Sequence, residues 1–298
     1  MHHAYPAQGP VEAAINLQMA ELVITADDVD EITVDVAPTQ ADRAADVRSA
    51  ENTEVSFADG RLSIVQRREN LISTWVNKGW FIDVHVRVPR RSRLDVRSAY
   101  GNIRVLGLIG PSTLVTAYGD IAAGDVAELE AKTSHGEIAV ERASGTSRLS
   151  ASSVRVGEVY GDTTAKASHG NVSLGMVMGE AQAVSGYGNI DVRTLMGRLQ
   201  ARSAHGRIRI DDAVHGAAGL DVGYGDIEVG IREGSLTWLD LDSKQGAVRN
   251  ELQPSTASRD GAAQTVGEDP GDAESDDRLE IVARTTYGSV RAYRAAVL

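Results

Sequence analysis

Tyrosine and histidine recur in one local setting along this chain: Tyr100, Tyr118, His135, His169, Tyr187, His205, Tyr224 and Tyr287 are each followed by glycine. Phenols and imidazoles stack and hydrogen-bond, and imidazole also binds metals, so the row is a candidate interaction surface. The residue after the glycine is often acidic, as at Asp120 and Glu137. Two carboxylates about 5–9.5 Å apart serve glycosidases, which makes this pair a candidate for carbohydrate chemistry. A third feature is Arg87, Arg90, Arg91, Arg93 and Arg97, readable as a solvated turn or as an anion or partner site. Gly186-Tyr187-Gly188 and Gly223-Tyr224-Gly225 lack a third glycine and an opening helix, so neither is a dinucleotide fingerprint.

All of these sit in or beside a repeat. The phrase reads Tyr100-Gly101-Asn102-Ile103, Tyr118-Gly119-Asp120-Ile121 and His135-Gly136-Glu137-Ile138, then resumes at His169, Tyr187, His205, Tyr224 and Tyr287. Its apolar residue falls at Ile103, Ile121, Ile138, Val154, Val172, Ile190, Ile208, Ile227, Val248 and Val290, mostly 16 to 19 residues apart. Val154 belongs to the series although its Tyr/His-Gly phrase is lost, because a glycine still follows seven residues on, as it does after Ile103, Ile138, Val172 and Ile190. Each unit carries two alternating runs, such as Ile208-Arg209-Ile210 and Leu199-Gln200-Ala201-Arg202-Ser203, so one side chain in two faces inward. Gly-Asp and Gly-Asn supply the corners. A unit this short cannot bury its own apolar face and must stack on its neighbours; a propeller blade needs about 40–45 residues. The expected fold is all-β: a single-stranded β-solenoid of about ten coils with an N-terminal β cap.

That geometry constrains the candidate residues. The Tyr/His row would occupy one corner of successive coils, with the inward parity of the strand before it, so it is expected to pack over the core's edge as a stacked ladder. Recognition of a partner by the same row is the alternative. His135, His169 and His205 would be two rungs apart, about 9.6 Å, too far for one zinc with nitrogens at about 2.0–2.1 Å. Acids after a corner glycine are what turns prefer, and no aromatic platform accompanies Asp120 and Glu137. No catalytic, cofactor-binding or metal-binding residue is therefore expected.

Composition agrees. The 298 residues carry a formal net charge of −12, aromatics are only 4%, and there are 30 glycines and no cysteine. A lean core of Val, Ile, Leu and Ala follows, and a nucleic-acid or anionic-membrane partner is disfavoured. No basic stretch leads into an apolar segment near Met1, and no apolar run reaches about 18–20 residues, so a cytoplasmic location without membrane insertion is expected.

Along the chain, residues 1–20 read as a flexible leader and residues 21–93 as an N-terminal β capping segment holding Trp75 and Trp80. Residues 42–51 fit a short helix or a loop. Residues 94–298 read as the repeat domain. Within it, residues 254–277 hold seven acids against one base and read as a disordered acidic insertion. The segment from Arg278 to Val290 restores the repeat, and is expected to stack as the last rung.

The phrase (Tyr/His)-Gly-(Asp/Asn)-Ile-x-Val, following a β segment that ends in Val88-Pro89, resembles the bacterial "putative adhesin" β-strand-repeat family, also called the toast-rack domain and distantly similar to bactofilins. The likeness covers roughly residues 22–293 and implies the same solenoid. Together these readings imply a non-enzymatic scaffold or interaction module, with an unknown protein partner or self-association. A self-assembling polymer and a carbohydrate-active enzyme using corner carboxylates remain the alternatives.

Overall fold

A computed structural model describes residues 1–67, 80–252 and 278–296. Strand follows strand with one short helix, and alternation sets the inward face of each. In Arg198–His205 the buried residues are Leu199, Ala201 and Ser203; in Ile208–Ala213 they are Ile208, Ile210 and Ala213. Each rung places one such strand in each of two parallel sheets. The apolar residue after the phrase stacks in register: Ile103, Ile121, Ile138, Val154, Val172, Ile190, Ile208 and Ile227 pair in succession. Burying one Ile or Val is worth about 1.5–3 kcal/mol, repeated at every rung, and the result is one continuous core. The chain is the expected β-solenoid. No helix among the described residues is long and apolar enough to cross a membrane.

Both ends depart from sequential winding. The strand Glu12–Asp27 is an entire rung without a glycine corner. Its residues 12–19 lie between Arg61–Gln66 and Arg93–Tyr100 in one sheet. Residues 20–27 lie between Ile82–Pro89 and Ile103–Ile109 in the other. The Gln66 side-chain carbonyl accepts the N–H groups of Gln18 and Met19 where this strand changes sheet. The chain therefore lays down an inner rung, builds the outer one, and steps back across through residues 90–92. Ser92, fully buried, holds that step: its hydroxyl donates to the Pro89 carbonyl at 2.6 Å and accepts the Val11 N–H at 3.0 Å.

These placements correct the N-terminal expectations. Residues 1–20 are not a flexible segment, since His2–Pro6 pairs antiparallel with Glu31–Pro38 and Ala13, Ile15 and Leu17 are core. Nor does the solenoid start at 94: two of its rungs lie within 12–89, and the cap proper is smaller than 21–93. It consists of the antiparallel strands His2–Pro6, Glu31–Pro38 and Thr53–Ala58 with the helix Ala44–Glu51. That helix resolves the open reading of residues 42–51. Its buried Asp46 accepts the N–H groups of Phe81 at 3.1 Å and Gln40 at 3.2 Å, tying the helix to the core's end. Trp75 lies outside the described residues; Trp80 is buried.

The C-terminal end repeats the manoeuvre. The strands Arg278–Tyr287 and Val290–Arg294 do not form the last rung. They insert between the rung of Gly216–Tyr224 and Ile227–Ile231 and that of Leu236–Gln245 and Val248–Asn250, pairing in parallel with both. Their inward residues explain the order: Leu279, Ile281, Ala283, Val290 and Ala292 need cover on two sides, whereas the outer rung ends in polar Asn250 and exposes Leu236. The acidic stretch 254–277 lies outside the described residues.

Ile281→Ala is expected to lower unfolding free energy by about 2–5 kcal/mol, and Leu236→Ala by no more than about 0.5 kcal/mol. Urea unfolding followed by circular dichroism checks this; equal costs would contradict the inserted position of the 278–294 rung.

Candidate functional site

Three stacked interactions recur at the corners of the rungs. First, the glycine admits an approach no other residue could make. Gly206 has φ of +141°, and a Cβ there would lie 2.2 Å from the Gly188 carbonyl oxygen of the rung before. Second, the Asp or Asn after the glycine accepts the main-chain N–H of its successor one rung on. Asn102 accepts from Asp120 at 2.8 Å, Asp120 from Glu137 at 2.8 Å, Asn189 from Arg207 at 3.0 Å and Asp226 from Ser289 at 2.7 Å. Third, a buried Ser or Thr donates its hydroxyl to the glycine carbonyl of the neighbouring rung, as Thr133 does to Gly119 at 2.9 Å and Ser203 to Gly188 at 3.1 Å.

These contacts give Asp120 a structural task, because its Oδ1 is taken by a backbone N–H. Glu137 faces Arg155, 3.5 Å away. The corner carboxylates thus hold turns and cross-rung pairs.

The aromatic row is assembled as the repeat predicts, but it does not lie over the core. The strand's inward parity persists only as far as the buried Thr or Ser; the chain then swings outward, leaving the tyrosines 40–59% exposed and the histidines exposed as well. The rings stack face to face, and their edges with the phenol and imidazole polar atoms meet solvent. Tyr100, Tyr118 and His135 form one stack, with centroids 4.9 and 4.6 Å apart and planes within 7°. His169, Tyr187, His205, Tyr224 and Tyr287 form a second, with planes within 9°. Most spacings match the strand separation, so the backbone imposes the stacking. The break between stacks falls at the rung that lost the phrase. No group of three or more potential metal-binding side chains occurs among the described residues.

At the arginine-rich junction two of the five side chains have acidic neighbours. Arg87 pairs with Asp27 at 2.7 Å, Arg97 lies 3.4 Å from Asp95, and Arg91 takes φ of +61° in the step between rungs. Elsewhere arginines tie rungs together: Arg142 reaches Glu158 at 2.8 Å and Asp125 at 3.4 Å. The hydrogen bond from Arg142 holds the Glu158 carboxyl below its ordinary value, and those from Arg291 and Arg87 do the same for Glu251 and Asp27.

The toastrack family DUF4097 matches residues 12–293. Solved structures with similar backbones include a "putative lipid binding protein" from Parabacteroides distasonis, 10% identical, TM-score 0.41, covering 98% of this chain and 96% of that one. A "putative adhesin" from Bacteroides fragilis is 11% identical, TM-score 0.35, covering 98% and 96%. Another "putative adhesin", from Parabacteroides merdae, is 8% identical, TM-score 0.26, covering 98% and 95%. At such TM-scores none of the three bears on what this chain does. No curated protein matches it.

Carboxyls whose folded pKa is depressed contribute stability above their unfolded value, and that contribution is lost as pH falls through the folded one. The melting temperature is therefore expected to decline below the ordinary glutamate value of 4.5. Arg142→Gln should flatten the decline. Melts at intervals from about pH 7 to about pH 3 check this, and an unchanged slope would show that the cross-rung pair contributes nothing.

Proposed function

The chain belongs to the toastrack DUF4097 family, and on that footing we propose that it is a non-enzymatic scaffold that recognises a protein partner along its Tyr/His corner. The observation that carries this reading is the exposure of the row. Aromatic side chains fixed by stacking and by main-chain pairing lose little freedom on binding, and they present hydroxyl and imidazole edges at a regular pitch. Structural need alone does not explain the rings, since the rung without one is as well buried as its neighbours.

Self-association is the second reading, favoured by the outermost rung. Leu236, Trp238 and Val248 are exposed there, and the outer edges of its strands have no partner among the described residues. Antiparallel strands and a helix close the opposite end. Head-to-tail growth is thus disfavoured, and an open end meeting an open end gives a closed pair.

A Tyr187→Ser/His205→Ser variant is expected to melt within a few degrees of the parent and to lose the proteins that the parent captures from a native lysate. Undiminished capture would leave the row a purely structural ladder. Light scattering over a range of concentrations tests the second reading: dimers at high concentration, abolished by Trp238→Lys, are expected, whereas monomers throughout would end it.

A further inference from the structure

The rung that breaks the aromatic ladder is shorter than its neighbours. Between the paired positions Lys132 with Ser150 and Glu137 with Ser153, the preceding rung has residues 133–136 and this one only 151–152. The loss recurs on the other side, where residues 168–171 face residues 152–153. Two near-identical hexapeptides flank the gap: Ala131-Lys132-Thr133-Ser134-His135-Gly136 and Ala165-Lys166-Ala167-Ser168-His169-Gly170. The whole chain has four lysines, Lys78, Lys132, Lys166 and Lys244, so half of them bracket this one short rung.

The two lysines stand on the outer face of the same sheet, each in register with Ser150 from opposite sides. Two grooves meet there, of about 290 and 340 Å³, and both are lined by Lys132, Ser150 and Lys166. Ser134 and Ser168 line the first and Arg148 the second. Glu130, in register with Arg148, is the one acid lining either groove, at the end away from the corner. Among the described residues neither lysine nor Arg148 makes an ion pair; elsewhere on the same sheet Arg97, Arg202 and Arg284 are paired with acids. Three cations against the single acid Glu130 are a local positive excess on a chain of net charge −12.

We propose that this short rung is a binding site for a tetrahedral oxyanion, a phosphate or sulfate group, held between Lys132 and Lys166. The flanking rungs are about 9.6 Å apart, and two flexible four-carbon stems converge across that span, each bringing an ammonium with three donors. Ser134 and Ser150 add neutral donors, and Arg148 a third positive charge at the groove's side. The missing corner residues remove the ring that would otherwise stand beside the anion, which accounts for the deletion and the paired hexapeptides together. The site does not depend on the aromatic row binding a protein.

Titration calorimetry with inorganic phosphate and with sulfate, on the full chain, tests this. Saturable binding at one site is expected, weakened at least about tenfold in Lys132→Gln/Lys166→Gln and little changed in the charge-matched control Lys244→Gln/Arg249→Gln. Should the first variant melt early, amide shifts of Lys132, Ser150 and Lys166 during phosphate titration of the parent give the same information. Phosphatidylcholine vesicles carrying phosphatidic acid form the second arm. Lysine-dependent vesicle binding alongside phosphate binding assigns the group to a lipid headgroup; phosphate binding without vesicle binding assigns it to a soluble anion or ester. No saturable phosphate or sulfate binding, or equal losses in both variants, would overturn the site.

Discussion

The N–H of Gly206 donates to the Tyr224 carbonyl at 2.9 Å, and the N–H of Gly225 to that of Tyr287 at 2.8 Å. Such main-chain bonds join every rung to the next. They fix a pitch of about 4.8 Å, and side chains at equivalent positions must then coexist at that distance. Rings at that pitch stack. Carboxamides and carboxylates accept the next backbone N–H, and hydroxyls reach the next glycine carbonyl. A Cβ on a corner glycine, by contrast, would collide with the rung below.

A stack held this way is weakest at its ends, where one rung lacks a neighbour and a chain terminus can peel. This protein places neither terminal rung of the chain outermost. The first in sequence, Glu12–Asp27, lies under a later one, and the last, residues 278–294, lies under an earlier one. Short steps, through residues 90–92 and 232–235, carry the chain across the buried rung. At the second, the Ala295 N–H donates to the Ile231 carbonyl at 2.9 Å, sealing the C-terminal strand beneath the step. Unravelling from either terminus then requires breaking ladders on both sides of a rung.

The same regularity makes exceptions legible. Where one corner loses two residues, the ring ladder stops after His135 and resumes at His169. What remains is a serine-rich notch between two lysines on the outer face of one sheet.

The sequence by itself determined the rung. The period, the glycine corners and the alternation fix which residues face the core, and the series from Ile103 to Ile227 stacks in the predicted register because a one-residue slip would turn every apolar side chain outward. The resemblance to the toast-rack family rested on the same phrase. Tertiary structure decided the order of rungs at the ends: a parallel strand edge accepts any suitable neighbour, and nothing local in residues 278–294 says that both their edges are covered. It also decided that the Tyr/His row is exposed. Side-chain parity holds along a strand but says nothing once the chain turns a corner, and Tyr187 and His205 lie just past it. The two lysine hexapeptides were visible in the sequence all along, but only the register across the shortened rung brings them to opposite sides of Ser150, because a two-residue deletion at a corner changes what stands between neighbours and leaves their own strands untouched.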